Sequence, residues 1–327
     1  MPERLQLLEQ WLRQSCCLTY ESIAPASSDA SFRRYFRVTK TDGSTWIAMD
    51  APPDKEDCAP FVKVAAIMQS AGVHVPRVLE QDLNQGFLLL EDLGSTAYLD
   101  VLTANSVEKL YADALQALLQ LQAKASSDGL PVYDETLLRR EMALFPDWLL
   151  ATHLELELDS REQKMLTSAF DVLAESALEQ PRVFVHRDYH SRNLMVVDRH
   201  NPGVIDFQDA VAGAPTYDLV SLLRDCYVRW PGEQVDRWAS EFAQDLRSEG
   251  LIDVGDDTFL AWFDLMGVQR HLKASGIFAR LNHRDGKPGY LADIPRTLQY
   301  IVDVGARRPS MRALADFVEM RVLSRMS

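Results

Sequence analysis

The stretch His186-Arg187-Asp188-Tyr189-His190-Ser191-Arg192-Asn193, followed by Val204-Ile205-Asp206-Phe207, decides how the chain is to be read. Val183-Phe184-Val185 ahead of it, and Leu194-Met195-Val196-Val197 and Val204-Ile205 after it, are short apolar runs with the composition of buried strands. The polar residues therefore fall on loops that border strands. Asp188 stands five residues before Asn193, and its carboxylate suits a hydroxyl that must give up a proton. The Asn193 amide and the Asp206 carboxylate are hard oxygen donors of the kind Mg²⁺ prefers. Phosphoryl transfer needs little more, because it depends on alignment of the nucleophile and neutralisation of charge on the phosphate oxygens.

Two plainer readings compete. The same residues suit an ordinary polar loop, with His186 a satisfied core histidine and Asp206 a turn former. His186 and His190, four apart, also match the helical spacing of zinc-binding histidine pairs. That spacing works on a helix, whereas 183–185 reads as a strand, and the glutamate base of the zinc-peptidase pattern is missing.

Upstream, Phe36-Arg37-Val38-Thr39, the turn Thr41-Asp42-Gly43-Ser44 and Trp46-Ile47-Ala48-Met49 predict an antiparallel hairpin. An amphipathic helix at the amino terminus, a helix over 55–71 and strands over 77–80 and 87–91 complete a small α+β lobe, residues 1–92. From Ser106 helical periodicity dominates, with helices expected over 106–125, 135–152, 159–178, 217–228, 232–248, 257–275 and 310–323. Residues 93–327 then form a mainly helical catalytic and substrate-binding lobe. The strands around the decisive motif are expected to form one compact patch in it.

Composition narrows the partners. The 327 residues are 47% apolar, enough for a large core, and the formal charge of -14 disfavours nucleic acid and anionic membrane surfaces. The four cysteines match neither a disulfide framework nor paired zinc spacing, and no stretch reads as a signal peptide or membrane span, so a cytoplasmic protein with no obligate protein partner is expected.

Together with 186–193, Ile205-Asp206-Phe207-Gln208-Asp209, Pro215-Thr216-Tyr217-Asp218-Leu219 and Leu88-Leu89-Leu90-Glu91-Asp92-Leu93-Gly94 give a sequence that resembles the aminoglycoside phosphotransferase and choline kinase-like family. Met49-Asp50-Ala51-Pro52-Pro53 and Gly276-Ile277-Phe278-Ala279-Arg280-Leu281 are similar to a bacterial branch whose acceptors are the amino sugars N-acetylmuramate and N-acetylglucosamine of cell wall recycling. The resemblance implies an α+β, bilobal protein-kinase-like fold with a small antiparallel-sheet N-lobe and a larger helical C-lobe. It further implies ATP and Mg²⁺ as cofactors, Asp188 as the catalytic aspartate, and Asn193 with Asp206 on Mg²⁺. The apolar run becomes a hinge, with the Glu91 carbonyl and the Leu93 amide on the adenine edge.

Two positions depart from the kinase pattern. The phosphate-covering loop, Ala26-Ser27-Ser28-Asp29-Ala30-Ser31, has no glycine, so Ser27, Ser28 and Ser31 are expected to donate to phosphate. Met49 stands where the strand lysine should be, and Arg34 is the favoured replacement.

For the acceptor, an aminoglycoside needs a dense acidic pocket and choline an aromatic cage; neither is decisively written in the chain, although the charge of -14 is compatible with a cationic substrate. Arg270 and Lys273, one helical turn apart, offer positive charge for the lactyl carboxylate of a muramate. His190, Asp209 and Asp225 complete the expected acceptor contacts. An anomeric sugar kinase is the reading these residues favour, ahead of an aminoglycoside or choline phosphotransferase and a catalytically silent nucleotide-binding regulator.

Overall fold

The computed structural model describes residues 2–28 and 32–326, with only the backbone of Pro2, Ser27 and Ser28. In chain order the first elements are α1 (Pro2–Gln14), β1 (Ser22–Ser28), β2 (Arg34–Thr39), β3 (Thr45–Asp50), α2 (Ala59–Ser70), β4 (Val78–Asp82), β5 (Phe87–Glu91) and the single turn α3 (Tyr98–Val101). Then come α4 (Val107–Lys124), α5 (Glu135–Met142), a π-helical segment Phe145–His153, α6 (Ser160–Leu178) and β6 (Val183–Val185). After the motif follow β7 (Leu194–Met195), β8 (Gly203–Val204), β9 (Val211–Gly213), α7 (Thr216–Leu223), α8 (Gly232–Ser248), α9 (Asp256–Asp285), α10 (Ile294–Arg307) and α11 (Arg312–Phe317).

These elements fall into two compact units, residues 1–101 with 193–209, and 102–192 with 210–327. The division therefore lies nine residues beyond the expected boundary at 92. Chain 193–209, expected in the second lobe, belongs with the first unit.

The first unit is built on an antiparallel sheet in the order β1-β2-β3-β5-β4. At the β2–β3 turn Gly43 takes φ +80, and the Asp42 carboxylate accepts from the Ser44 amide at 2.9 Å, so short polar side chains close the hairpin as read. Alternation buries Phe36 and Val38 against Leu8, Trp11 and Leu12 of α1, along with Phe87 and Leu89. Strand β1 was not foreseen. It holds Pro25 and small polar residues, a composition tolerated because it lies at the sheet edge, with a bulge between Pro25 and Ser27. Gly86 is required: φ is +72, and a Cβ there would lie 1.8 Å from the Ala51 carbonyl oxygen.

The short strands do not form one patch. β6 pairs with β9 in the second unit and β7 with β8 in the first, so the polar motif runs from one ribbon to another.

In the second unit α9 packs against α6, α7, α8, α10 and the π-helical segment. It is buried nearly all round, the environment of a core helix, yet its middle carries buried Gln269, Arg270, His271 and Lys273. Gly276 allows the close approach of the neighbouring chain: a Cβ there would stand 2.3 Å from the backbone of Leu144. The helix expected over 135–152 is instead broken after Met142. Pro146 supplies no amide, and its ring opposes the carbonyl four residues back. Among the described residues no helix is long and apolar enough to cross a membrane.

Candidate active site

Strand β6, held by Val185 opposite Val211 on β9, delivers His186, Arg187 and Asp188 to its carboxyl end. Arg187 adopts φ +79, a conformation costly for a side-chain-bearing residue. Buried Asp218 on α7 fixes it: one carboxylate oxygen accepts from the His186 amide at 2.6 Å and the other from the Arg187 amide at 2.9 Å. His186, fully buried, accepts through Nδ1 from the Asp188 amide at 3.2 Å. Further along, the Tyr189 hydroxyl donates to the Ala114 carbonyl at 2.8 Å, and Ser191 donates through its amide (2.9 Å) and hydroxyl (2.5 Å) to Asp225. The loop is thus tied down on both sides of Asp188.

Charge around Asp188 is arranged to keep it ionised. Burial acts to raise its pKa, but Lys273, followed by His190, Arg187 and Arg270, holds the carboxyl below the ordinary aspartate value. Two of these cations share an anion. Glu141 on α5 accepts from the Arg187 guanidinium and from the Tyr133 hydroxyl, and lies 3.2 Å from the Lys273 ammonium, which also donates to the Tyr217 hydroxyl at 2.9 Å. Gln269 donates to the Tyr133 hydroxyl at 3.2 Å and closes the network. Burial pushes the Asp218 carboxyl up to about 7 against its two amide donors.

In the first unit Asn193 and Asp206 come together. The Ile205 amide donates to the Asn193 carbonyl at 3.0 Å, and the Asn193 side-chain nitrogen lies 3.4 Å from an Asp206 carboxylate oxygen. Asp206 also takes a left-handed backbone, φ +64, and accepts from Gln208 at 2.8 Å. An amide and a carboxylate beside paired strands are a donor set that fits Mg²⁺, which takes one or two carboxylates and fills its other positions with water and phosphate oxygens.

Several expected residues stand elsewhere than foreseen. Arg34 pairs with fully buried Asp50, which Arg4 also contacts, and so is committed inside the first unit. Arg33 is the residue whose guanidinium lies 3.9 Å from Asp206. Strand β2 begins at Arg34, so Arg33 precedes the strand and is not bound to its alternation. Asp225 is buried, with one oxygen on Ser191 and the other accepting from the Tyr227 amide at 2.9 Å, so it anchors the loop and has no open surface for a sugar. Asp209 is exposed and belongs to the first unit. Arg270 and Lys273 are both buried, with their charges acting on Asp188, and do not form a solvated helix face. His190 lies edge-on to Tyr227, ring centroids 5.4 Å apart. Glu91 ends β5 and accepts from Arg77, and Leu93 is buried. The side chains of Ser27 and Ser28, and the whole of Ser31, lie outside the described residues.

Asp218 and Glu141 were missed as functional residues. Asp218 was visible within Pro215-Thr216-Tyr217-Asp218-Leu219, whereas nothing local marks Glu141 among the charges of an amphipathic helix.

Residues 22–255 match the phosphotransferase enzyme family. The chain belongs to that family. It is 52% identical to a Pseudomonas aeruginosa protein named N-acetylmuramate/N-acetylglucosamine kinase, over 90% of this chain and 87% of that one. It is 45% identical to a Pseudomonas putida protein of the same name, over 97% of each. Among solved structures, a choline kinase from Streptococcus pneumoniae superposes with a TM-score of 0.64 at 11% identity, covering 91% of this chain and 98% of that one. An ADP-bound aminoglycoside phosphotransferase gives 0.60 at 13% identity, covering 90% and 97%. Both share the protein-kinase-like fold of the family. This family member is accordingly a small-molecule phosphotransferase.

Proposed function

We propose that the enzyme is a cytoplasmic kinase that transfers the γ-phosphoryl group of ATP to the anomeric hydroxyl of N-acetylmuramate and N-acetylglucosamine in peptidoglycan recycling. The observation that carries it is the Asp188 carboxylate, held ionised at the end of β6 by Lys273, His190, Arg187 and Arg270, in a chain 52% identical to a kinase of that name.

Asp188 accepts the hydrogen bond of the anomeric hydroxyl, which is more acidic than an ordinary alcohol because the ring oxygen withdraws electron density. As the sugar oxygen bonds to the γ-phosphorus, the bond from phosphorus to the β,γ-bridging oxygen breaks, ADP departs and the hydroxyl proton passes to Asp188. Because the acceptor is already acidic, alignment by the pinned loop matters more than base strength. Asn193 and Asp206 would hold Mg²⁺, which when bound offsets charge on the phosphates. Arg33 is placed to add positive charge beside Asp206, in the role first assigned to Arg34. The Glu91 carbonyl and Leu93 amide hold the adenine edge.

ATP consumption with N-acetylmuramate, N-acetylglucosamine, choline and kanamycin tests the reading. Turnover is expected with the two sugars, giving a non-reducing, acid-labile glycosyl phosphate. Turnover with choline or kanamycin alone overturns it, and tight ATP binding with no turnover makes the protein a nucleotide-binding regulator.

A further inference from the structure

The second unit contains an arginine that no acid neutralises. Arg192, four residues after Asp188 on the same loop, is exposed, and no ion pair forms at it among the described residues. The side chain is nevertheless supported. Its guanidinium carbon lies 3.8 Å from the ring centroid of Tyr227 and 5.3 Å from that of Tyr290. Tyr227 packs edge-on against His190, and Phe278 of α9 stacks on Tyr290 at 5.6 Å and leans on Tyr227 at 6.1 Å. These rings form a shelf beside the loop that carries Asp188.

Stacking on aromatic faces covers the flat sides of a guanidinium and leaves its in-plane N–H groups, a fork that matches a carboxylate in two parallel hydrogen bonds. The other cations near Asp188 are engaged: Arg187 and Lys273 by Glu141, while Arg270 is buried, donates to the Cys226 sulfur at 3.6 Å and faces Asp188 and Asp225 electrostatically. We propose that Arg192, stacked on Tyr227 and Tyr290, is a carboxylate subsite that recognises the acidic substituent of an N-acylated amino sugar and sets the preference for the lactyl-bearing acceptor over its neutral counterpart. This rests on the proposed sugar kinase reading and moves the carboxylate contact from Arg270 and Lys273 to Arg192.

The test is the ratio of kcat/KM for N-acetylmuramate to that for N-acetylglucosamine, measured in the wild type, Arg192→Gln and Arg192→Lys. Loss of a charge-assisted pair corresponds to about a tenfold fall in the ratio for Arg192→Gln, with a smaller fall for Arg192→Lys, which keeps the charge but not the fork or the stack. In the wild type the ratio also falls as salt rises, because only one acceptor is charged. An unchanged ratio, or an equal loss with both sugars as expected if Arg192 served the nucleotide, overturns the subsite and leaves the kinase reading intact. A wild type that phosphorylates neither sugar overturns both.

Discussion

At the scale of single residues, Asp188 and Asp218 show how one loop separates two carboxyl groups by environment. Asp188 is surrounded by cations and stays ionised, whereas Asp218 is buried among backbone amides and its carboxyl rises to about 7. Asp188→Asn keeps the shape and removes the proposed proton acceptor, so turnover is expected to fall by about 10² or more while nucleotide affinity is retained. Steady-state kinetics beside ATP titration checks this. Asp218 makes a pH prediction. Its folded value lies above the unfolded 3.8, so its contribution to stability is full below about pH 4 and is lost as pH rises to about 7. In that window the stability of wild type relative to Asp218→Asn falls by up to about 1.4 kcal/mol per pH unit. Denaturant unfolding of both proteins at pH 5, 6 and 7 measures it, and a flat difference contradicts the raised pKa. The motif was legible at this scale because side-chain chemistry and spacing are local. The choice between Arg33 and Arg34 was not, since it depends on the residue at which β2 begins.

At the scale of elements, α9 joins packing to the site. Its middle gives up apolar surface to place Gln269 and Lys273 in the network around Glu141. Glu141→Gln leaves the Arg187 and Lys273 charges without their shared anion, and a loss of about 3 kcal/mol is expected, the usual result of breaking a buried pair from one side. Urea denaturation at pH 7 reads this directly. The same helix depends on Gly276. Because the neighbouring atoms are the Leu144 backbone, Gly276→Ala cannot be relieved by a rotamer change and should cost about 1–3 kcal/mol. A thermal midpoint equal to that of the wild type would mean that the segment after Leu144 yields without cost. Periodicity identified the first two thirds of this helix and stopped at 275, because a glycine inside a helical pattern reads as a terminator when its packing partner is unknown.

At the scale of the whole molecule, the chain passes from the second unit to the first between Arg192 and Asn193 and returns after Asp209. One polar motif therefore contributes residues to both units. Nucleotide bound to the folded protein stabilises it by mass action, about 2.7 kcal/mol at a hundredfold excess over Kd. ATP with Mg²⁺ is expected to raise the melting temperature of the wild type by several degrees and to leave that of Asp206→Ala unmoved. Scanning calorimetry with and without EDTA distinguishes a metal-dependent shift from a general effect of ATP.

The sequence by itself determined the hairpin sheet, the helical remainder and the placing of Asp188, Asn193 and Asp206 on loops beside short strands, because hydrophobic period and turn residues are properties of neighbouring positions. Tertiary structure decided what contacts over long separations decide: that Glu141 neutralises Arg187 and Lys273, that Asp218 and Asp225 hold the loop, that Asp50 takes Arg34, and that Arg192 rests on Tyr227 and Tyr290. A buried charge must find its partner wherever the fold brings one, and no local pattern in the chain encodes that meeting.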